Sequence, residues 1–453
     1  MSKTIKNKEL SDIIKITDFE KIGAEMYQMV YDLYPICRSI TGNGVRETLQ
    51  YVKKKVPLVI NEIPSGTKVF DWTVPKEWNI RDAYVKDSKG KKVIDLNKSN
   101  LHVLNYSIPV QKKVSLQELK EHLFTIPEHP DWIPYRTSYY NENWGFCLSH
   151  KDYEKLNEDS YEVCIDSTLD KGHLTFGEYL IQGQLSDEVL ISTHICHPSL
   201  CNDNLSGLAT TVFLAKQLSI AHLKYSYRFL FIPGTIGSIT WLSLNEKKVS
   251  KIKNGLVVSC VGDSGKFTYK KTRQGNAEID NVVMNVLKNS EDDFKVIDFS
   301  PYGYDERQYC SPGFNLPVGC LMRTPHGEYP EYHTSADNLE FVGTKSLAES
   351  LKTCLNIINV LEENKKYINQ NPKCEPQLGR RGLYQHIGGH PDSKNFQLAM
   401  LWVLNLSDGL HSLVDISERS GLKFDLISEV AEILVTENLL KESAGELKNR
   451  VIS

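Results

Sequence analysis

No stretch of the 453-residue chain is apolar over the roughly 18 residues that crossing a bilayer as a helix takes, so a membrane-spanning helix is not expected. Neither sign of charge is in large excess. Lys and Arg number 53 against 57 Asp and Glu, a formal net charge of −4. Bulk electrostatics therefore favours neither nucleic acid nor an anionic membrane as partner. No Cys-x-x-Cys pair occurs among the ten cysteines, the nearest two being Cys196 and Cys201. Scattered cysteines in so long a chain read as reduced, buried thiols rather than a disulfide framework, which points to the cytoplasm. Residues 1–16 mix Lys, Asp and Glu with short Ile groups and hold no apolar h-region, so a secretory leader is not expected. Internal repeats and low-complexity tracts are absent too. What remains is ordinary globular composition, 40% hydrophobic and 24% charged. The length suits two to four domains at roughly 100–200 residues each.

Three regimes follow one another. Thr17-Asp-Phe-Glu20 has the form of a capping box. Behind it Ile22, Met26, Met29 and Leu33 recur at helical spacing. A second helix is expected over 45–52, after Gly42 and Gly44. From 61 to 150 short extended runs, turn signals and clustered prolines (Pro127, Pro130, Pro134) predict a small β-rich domain. From Leu174 strands alternate with helices. Strands are expected over 174–181, 188–194, 227–232, 255–263, 295–299 and 317–323. Helices are expected over 205–218, 236–244 and 281–287, and Leu347, Leu351, Leu355, Ile358 and Leu361 mark a longer one. This alternation predicts an α/β fold, a mostly parallel central sheet with helices on both faces. The α/β domain is then discontinuous, 1–60 and 151–368. Residues 369–453 open on a linker, Asn371-Pro-Lys-Cys-Glu-Pro376. Helical segments over 396–404, 413–420 and 424–437 follow, with Gly421 between the last two, a helix-turn-helix pattern.

Ligands of parallel sheets bind beyond the carboxyl ends of the strands, and the costly polar residues sit there. The strand 188–194 ends in Thr193-His194-Ile-Cys196-His197-Pro198. Asp203 follows in Asn202-Asp-Asn-Leu-Ser-Gly207, which opens a helix. The strand 255–263 ends in Gly262-Asp263-Ser-Gly265, and 317–323 leads to Glu331-Tyr-His333-Thr-Ser-Ala-Asp337. Taken singly, Asp203 could be a helix cap and Asp263 a turn residue. Together, His194, Asp203, Asp263 and His333 place two imidazoles and two carboxylates on one rim. Mixed His/Asp ligation with an open position suits catalytic zinc, and a carboxylate between two His-bearing segments can bridge two metals. His197 and Cys196 are weaker ligand candidates, since Pro198 argues against a continuing strand. A second polar cluster, Tyr304-Asp-Glu-Arg-Gln-Tyr309, is either a solvated helical turn or a substrate-facing loop with Arg307 available for a carboxylate.

At these motifs the chain resembles the zinc aminopeptidase superfamily that includes bacterial leucyl aminopeptidases and glutaminyl cyclases. The matching positions are His194, Asp203, Asp263 and His333. More closely, it resembles bacterial aminopeptidase-like proteins associated with polysaccharide biosynthesis. The residues that carry this likeness are Asp71-Trp-Thr-Val-Pro75, Ile133-Pro-Tyr-Arg-Thr-Ser-Tyr139, Trp144-Gly-Phe-Cys147, Asp305-Glu-Arg-Gln308 and Glu331-Tyr-His-Thr-Ser335. The resemblance spans nearly the whole chain. It implies an aminopeptidase-like α/β domain, an inserted β-rich domain and a closing winged helix. It also implies one or two zinc ions and a peptide or aminoacyl substrate. One departure matters: the superfamily carries a Glu pair after the next strand, and the closer family one Glu, where this chain reads Pro233-Gly234-Thr235. Gly234 can neither ligate nor take a proton. Glu331 is the first substitute for the missing carboxylate and Glu306 the second.

Two readings stand. In the first, zinc held by His194, Asp203, Asp263 and His333 serves hydrolysis of a peptide or amide bond. In the second, the protein is not a peptidase, and the pocket binds an amino-acid- or sugar-linked ligand. A regulatory role through the winged helix ranks third. Between 405 and 441 three basic residues face seven acidic ones, and the segment 424–437 has neither Lys nor Arg. DNA contact relies on neutralised phosphates, so nucleic acid is not expected there. A homo-oligomer is compatible with the sequence.

Overall fold

The run Glu188-Val-Leu-Ile-Ser-Thr-His194 has a continuous apolar centre without in–out alternation, as a strand covered on both faces requires. All seven residues are buried. The computed structural model describes residues 8–139, 141–290, 293–383 and 393–443. In it this strand lies between two parallel neighbours, Ser226–Ile232 and Ile252–Val258, and Val318–Met322 extends the parallel series. Toward the edges the pairing changes. His173–Ile181 runs antiparallel to Ser226–Ile232, and Val59–Pro64 antiparallel to it in turn. On the other side Phe267–Lys270 is antiparallel to Val318–Met322 and parallel to Phe294–Ile297. The eight-stranded sheet is thus parallel at its centre, as the α/β reading predicts. The strand expected to reach Asp263 stops at Val258.

Helix Gly207–Leu218 packs on the central strands. It buries ten of its twelve residues, and its sequence carries no charge before Lys216. Helix Phe19–Leu33 packs against it and turns Met26, Met29 and Leu33 inward. Its start departs from the capping-box expectation. Asp18 is the cap and accepts from Lys21 N at 3.0 Å. Thr17 Oγ1 instead donates to Ile13 O at 2.6 Å, closing a short helix, Leu10–Ile16, that the sequence reading had not separated.

A second, antiparallel sheet has the order Lys92–Asp95, Glu77–Lys86, Ser160–Asp170, Val110–Ser115. Its longest pairing takes a strand from past residue 150, so the small sheet and the strand His173–Ile181 of the large one are joined by a two-residue link. Trp78, Val85, Tyr106, Phe146, Tyr161 and Ile165 fill its core. The indole of Trp78 donates to Ser107 O at 2.8 Å, so its one polar atom is satisfied in that core.

The chain divides into two compact units. One holds the described residues up to Ala277 together with Phe294–Leu355. The other holds Glu278–Asp293 and the described residues from Asn356 onward. In the second unit helices Ser393–Leu406, Leu413–Ser420 and Phe424–Thr436 accompany a three-stranded sheet of Asp408–Ser412, Lys366–Asn369 and Leu440–Glu442. Ser412 and Asp415 form a capping box, and Gly421 at φ +70° ends that helix in the left-handed conformation a glycine tolerates. This is a winged helix. No helix of the described residues is long and apolar enough to cross a membrane.

Candidate metal centre

Four parallel strands bring their carboxyl ends to one rim, where chain direction opens a crevice. His194 is the last residue of its strand. Beyond the neighbouring strands lie Gly234, Ser259-Cys260 and His326. The segment Cys201–Ser206 crosses this rim in a wide turn with non-helical backbone at Asp203 and Asn204. Its amides staple the strand ends together. Asn204 Nδ2 donates to Thr193 Oγ1 at 2.9 Å and to His194 O at 3.1 Å, while Asn204 Oδ1 accepts from Cys260 N at 3.1 Å. Asn202 Oδ1 accepts from Gly262 N at 2.8 Å. Asp203 is therefore not a helix cap: it is held over the rim with its carboxylate free to face the histidines.

Three imidazoles converge on that carboxylate. His194 Nε2 lies 2.7 Å from Asp203 Oδ1. His333 Nε2 lies 2.9 Å and His197 Nδ1 3.5 Å from Oδ2. Tyr304 stacks on His194 with ring centroids 3.9 Å apart and donates its hydroxyl to Oδ2 at 3.2 Å. Burial alone would raise the Asp203 carboxyl. The nearby His197 ring and the bonds from His194 and His333 outweigh it and hold it well below the ordinary range. Burial drives His197 well below its usual value and His326 down to about 4, so both rings are neutral near pH 7, the form in which imidazole ligates. His197 at φ +84° and His333 at φ +56° occupy left-handed backbone, a conformation that non-glycine residues keep only where the surroundings over-determine it.

The His333 loop is braced from far away in the chain. Tyr135 N donates to His333 O at 2.7 Å, Ser335 N to Ile133 O at 2.8 Å, and Ile133 N to Ser335 Oγ at 2.9 Å. The ring of Tyr135 meets His197 and His333 edge-on, at 5.0 and 5.1 Å. From below, Asp337 Oδ2 accepts from Asp203 N at 2.9 Å, and burial pushes the Asp337 carboxyl up to about 8.

A family model described as a domain of unknown function, DUF4910, matches residues 27–364, well over half of the chain. The chain belongs to the DUF4910 family. A winged helix-turn-helix model matches residues 365–442. This DUF4910 chain is 56% identical, over 94% of its length and 98% of the relative's, to a Clostridium acetobutylicum protein. That relative is named as a candidate polysaccharide biosynthesis protein with an aminopeptidase-like domain. A crystal structure of a candidate peptidase from the same organism superposes with a TM-score of 0.90 at 54% identity, covering 96% of this chain and all of that one. The zinc aminopeptidase of Bacillus subtilis superposes with a TM-score of 0.55 at 12% identity, over 74% of this chain and 94% of that one. At that identity the likeness is one of fold.

Within this DUF4910 site the residues singled out from sequence separate. His194, Asp203 and His333 meet; Asp263 does not join them. Its Oδ1 accepts from Gly265 N at 2.6 Å and Thr324 Oγ1 at 2.8 Å, and its Oδ2 from Asn202 Nδ2 at 2.9 Å. The strand ends at Val258, and 259–263 turn away, so Asp263 ties loops together. Replacing Asp263 by Ala should lower unfolding stability by at least about 2 kcal/mol, because buried donors lose their acceptor. Zinc content should stay at the parental value; a folded variant that has lost zinc would return Asp263 to the ligand set. Glu306 is buried and paired with Lys270 Nζ at 2.8 Å. The half-buried Glu331 carboxylate makes no hydrogen bond or ion pair among the described residues, and nothing aims it at Asp203.

Sequence reasoning passed over two groups. His197 ranks from sequence as a weaker ligand candidate, yet its left-handed backbone turns the ring back to Asp203, and the His194-x-x-His197 spacing is the available signal. With His194 and Asp203 it forms a group whose ligand atoms all lie within 4.8 Å of one another, and Asp203, Cys260 and His326 form another. The other group is Asp305. It is fully buried, with Oδ1 accepting from Ser238 Oγ at 2.7 Å and Oδ2 without a partner. A Cβ on Gly234 would lie 3.4 Å from that oxygen and 3.2 Å from His194 Cβ. Burial pushes the Asp305 carboxyl up to about 6.

Proposed function

We propose that this protein is a zinc-dependent hydrolase of the aminopeptidase type, cleaving a peptide or aminoacyl amide bond. One observation carries the reading: a fully buried carboxylate, Asp203, set among the ring nitrogens of His194, His197 and His333. Nitrogen and carboxylate donors of this kind suit zinc, and the buried His197 Nδ1, near Asp203 but without a hydrogen bond, is a lone pair available to an ion. His194, His197, Asp203 and His333 would hold the ion. Once bound, zinc supplies Lewis acidity toward a carbonyl oxygen and toward water.

The chain's own residues do the rest. Asp305, in place of Glu331 or Glu306, takes a proton at Oδ2 and returns it to the leaving nitrogen, filling the role that Gly234 cannot. Its carboxyl near 6 suits proton transfer in both directions near neutrality. Tyr304 covers His194 and keeps water off that face. The clostridial relative's name makes an amide borne on an amino sugar a further substrate to test. The acidic winged helix belongs to protein contact rather than DNA in this reading.

The test is zinc by elemental analysis together with turnover of a panel of aminoacyl amides by the full chain. One or two zinc ions per chain with amine release is the expected result. Absence of zinc after reconstitution, or full zinc without hydrolysis of any amide, would leave the second reading, a pocket that binds its ligand without cleaving it. Gly234 is the observation in favour of that alternative.

A further inference from the structure

A cavity of about 290 Å³ lies beside Gly234. That is near the lower end of pockets that take small ligands, about 300–1,000 Å³, room for one residue and not for folded polypeptide. Trp72, Tyr302, Tyr304 and Tyr332 give it aromatic walls, and His326 also lines it. Arg307 is the one Lys, Arg, Asp or Glu among the lining residues. Its Nε is buried with no partner, and its side chain makes no hydrogen bond or ion pair among the described residues. Of the acids beside it, Glu306 pairs with Lys270, and Asp305 accepts from Ser238 through Oδ1 while its Oδ2 makes no hydrogen bond to the guanidinium. A guanidinium so placed is a bidentate carboxylate receptor without its carboxylate. Gly234 keeps the way open between cavity and His194. A side chain there would begin 3.0 Å from Tyr304 Cδ1 and 3.2 Å from His194 Cβ.

We infer that this cavity is the subsite for a substrate carboxylate, held by Arg307. The inference rests on the hydrolase reading for what the carboxylate belongs to, an acidic aminoacyl residue at the bond to be cut. Aromatic walls take the methylene groups, the guanidinium takes the terminal oxygens, and the missing side chain at 234 lets the aminoacyl carbonyl approach His194. The same chemistry could come from the free α-carboxylate of a dipeptide, and the experiment separates the two.

Binding to the zinc-loaded full chain is measured by calorimetry with two pairs of probes. L-Glutamate against L-glutamine varies the side-chain charge at constant shape; alanyl-alanine against its amide varies the terminal carboxylate. The expected result is L-glutamate binding about 10- to 100-fold tighter than L-glutamine, the scale of one charged hydrogen-bonded pair. Arg307→Met erases that preference and Arg307→Lys keeps part of it. Preference only within the dipeptide pair assigns the subsite to a terminal carboxylate. Equal affinity within both pairs, no binding by any probe, or a preference that survives Arg307→Met overturns the proposal. If Arg307→Met does not fold, the parental comparison of charged with neutral probes decides alone. Turnover of alaninamide, leucinamide and the α-amide of L-glutamate, measured in parallel, keeps the two readings apart. Turnover without charge preference ends the carboxylate subsite and spares the hydrolase, while charge-selective binding with no turnover of any amide does the reverse.

Discussion

Asp203→Ala protein, reconstituted with zinc and dialysed, is expected to retain little of the metal. Ligand-orienting groups one layer removed from a metal already change affinity about 10–100-fold, and a carboxylate that faces three imidazoles directly should exceed that. Without it His194 and His197 remain as buried rings with no anion to offset the cation. His333 loses its hydrogen bond to the cluster and keeps only ring contact with His197 and Tyr135. Elemental analysis beside circular dichroism is the check. A folded variant with parental zinc would show that the ion sits elsewhere. His194→Ala should act in the same direction, since its Nε2 is the closest nitrogen to that carboxylate.

The second large effect is at Asp305. If its carboxylate carries the proton, Asp305→Asn should lower turnover by about 10²–10⁴-fold, the usual contribution of a positioned acid–base group. The parental rate should rise with pH through about 6, where burial has placed this carboxyl, because the base must be ionised to act. Stability should move the other way. The folded chain holds the Asp305 proton more tightly than the unfolded chain, whose carboxyl lies near 3.8. The stability this gives is complete below about pH 4 and is lost as pH rises through 6. Asparagine suffers no such loss. At pH 8 the variant should therefore be more stable than its parent, on the order of 2–3 kcal/mol, with the difference gone at pH 4. Denaturant unfolding at the two pH values and a rate profile test both halves. A gain in stability with turnover intact would make Asp305 a buried structural acid and return the proton to another group.

The α/β architecture was legible because the strands are apolar runs of the right length between helical periodicities, and costly polar residues follow their carboxyl ends. The convergence of His194, Asp203 and His333 follows in part from that: the loops that carry them leave the carboxyl ends of parallel strands of one sheet and lie on one rim. Asp263 was misplaced because an apolar run does not announce where pairing stops. Val258 and Val261 read alike, yet only the first is in the strand. Backbone reversal at single residues, as at His197, is likewise invisible to a pattern of side-chain types. Between Asp305 and Glu306 the sequence offers two adjacent acids. Which one faces His194 depends on the phase of a four-residue helical turn, Glu306–Tyr309, and on Lys270, a partner 36 residues away that claims Glu306. The absence of a side chain at 234 was readable at once. What occupies the space was not.

The bond from Ile133 to Ser335 joins residues 202 positions apart, and the pairing of Pro134 with Thr334 reinforces it. His333 thus stands on a clasp between two remote lengths of chain rather than on a strand of its own. Closing that clasp costs loop entropy once, and whatever enters the histidine cluster draws on the same closure. Occupancy of the site and persistence of the clasp are then a single equilibrium read at two ends. A ligand at the histidines slows the opening of segment 133–135, and a substitution that loosens that segment weakens the site without touching it.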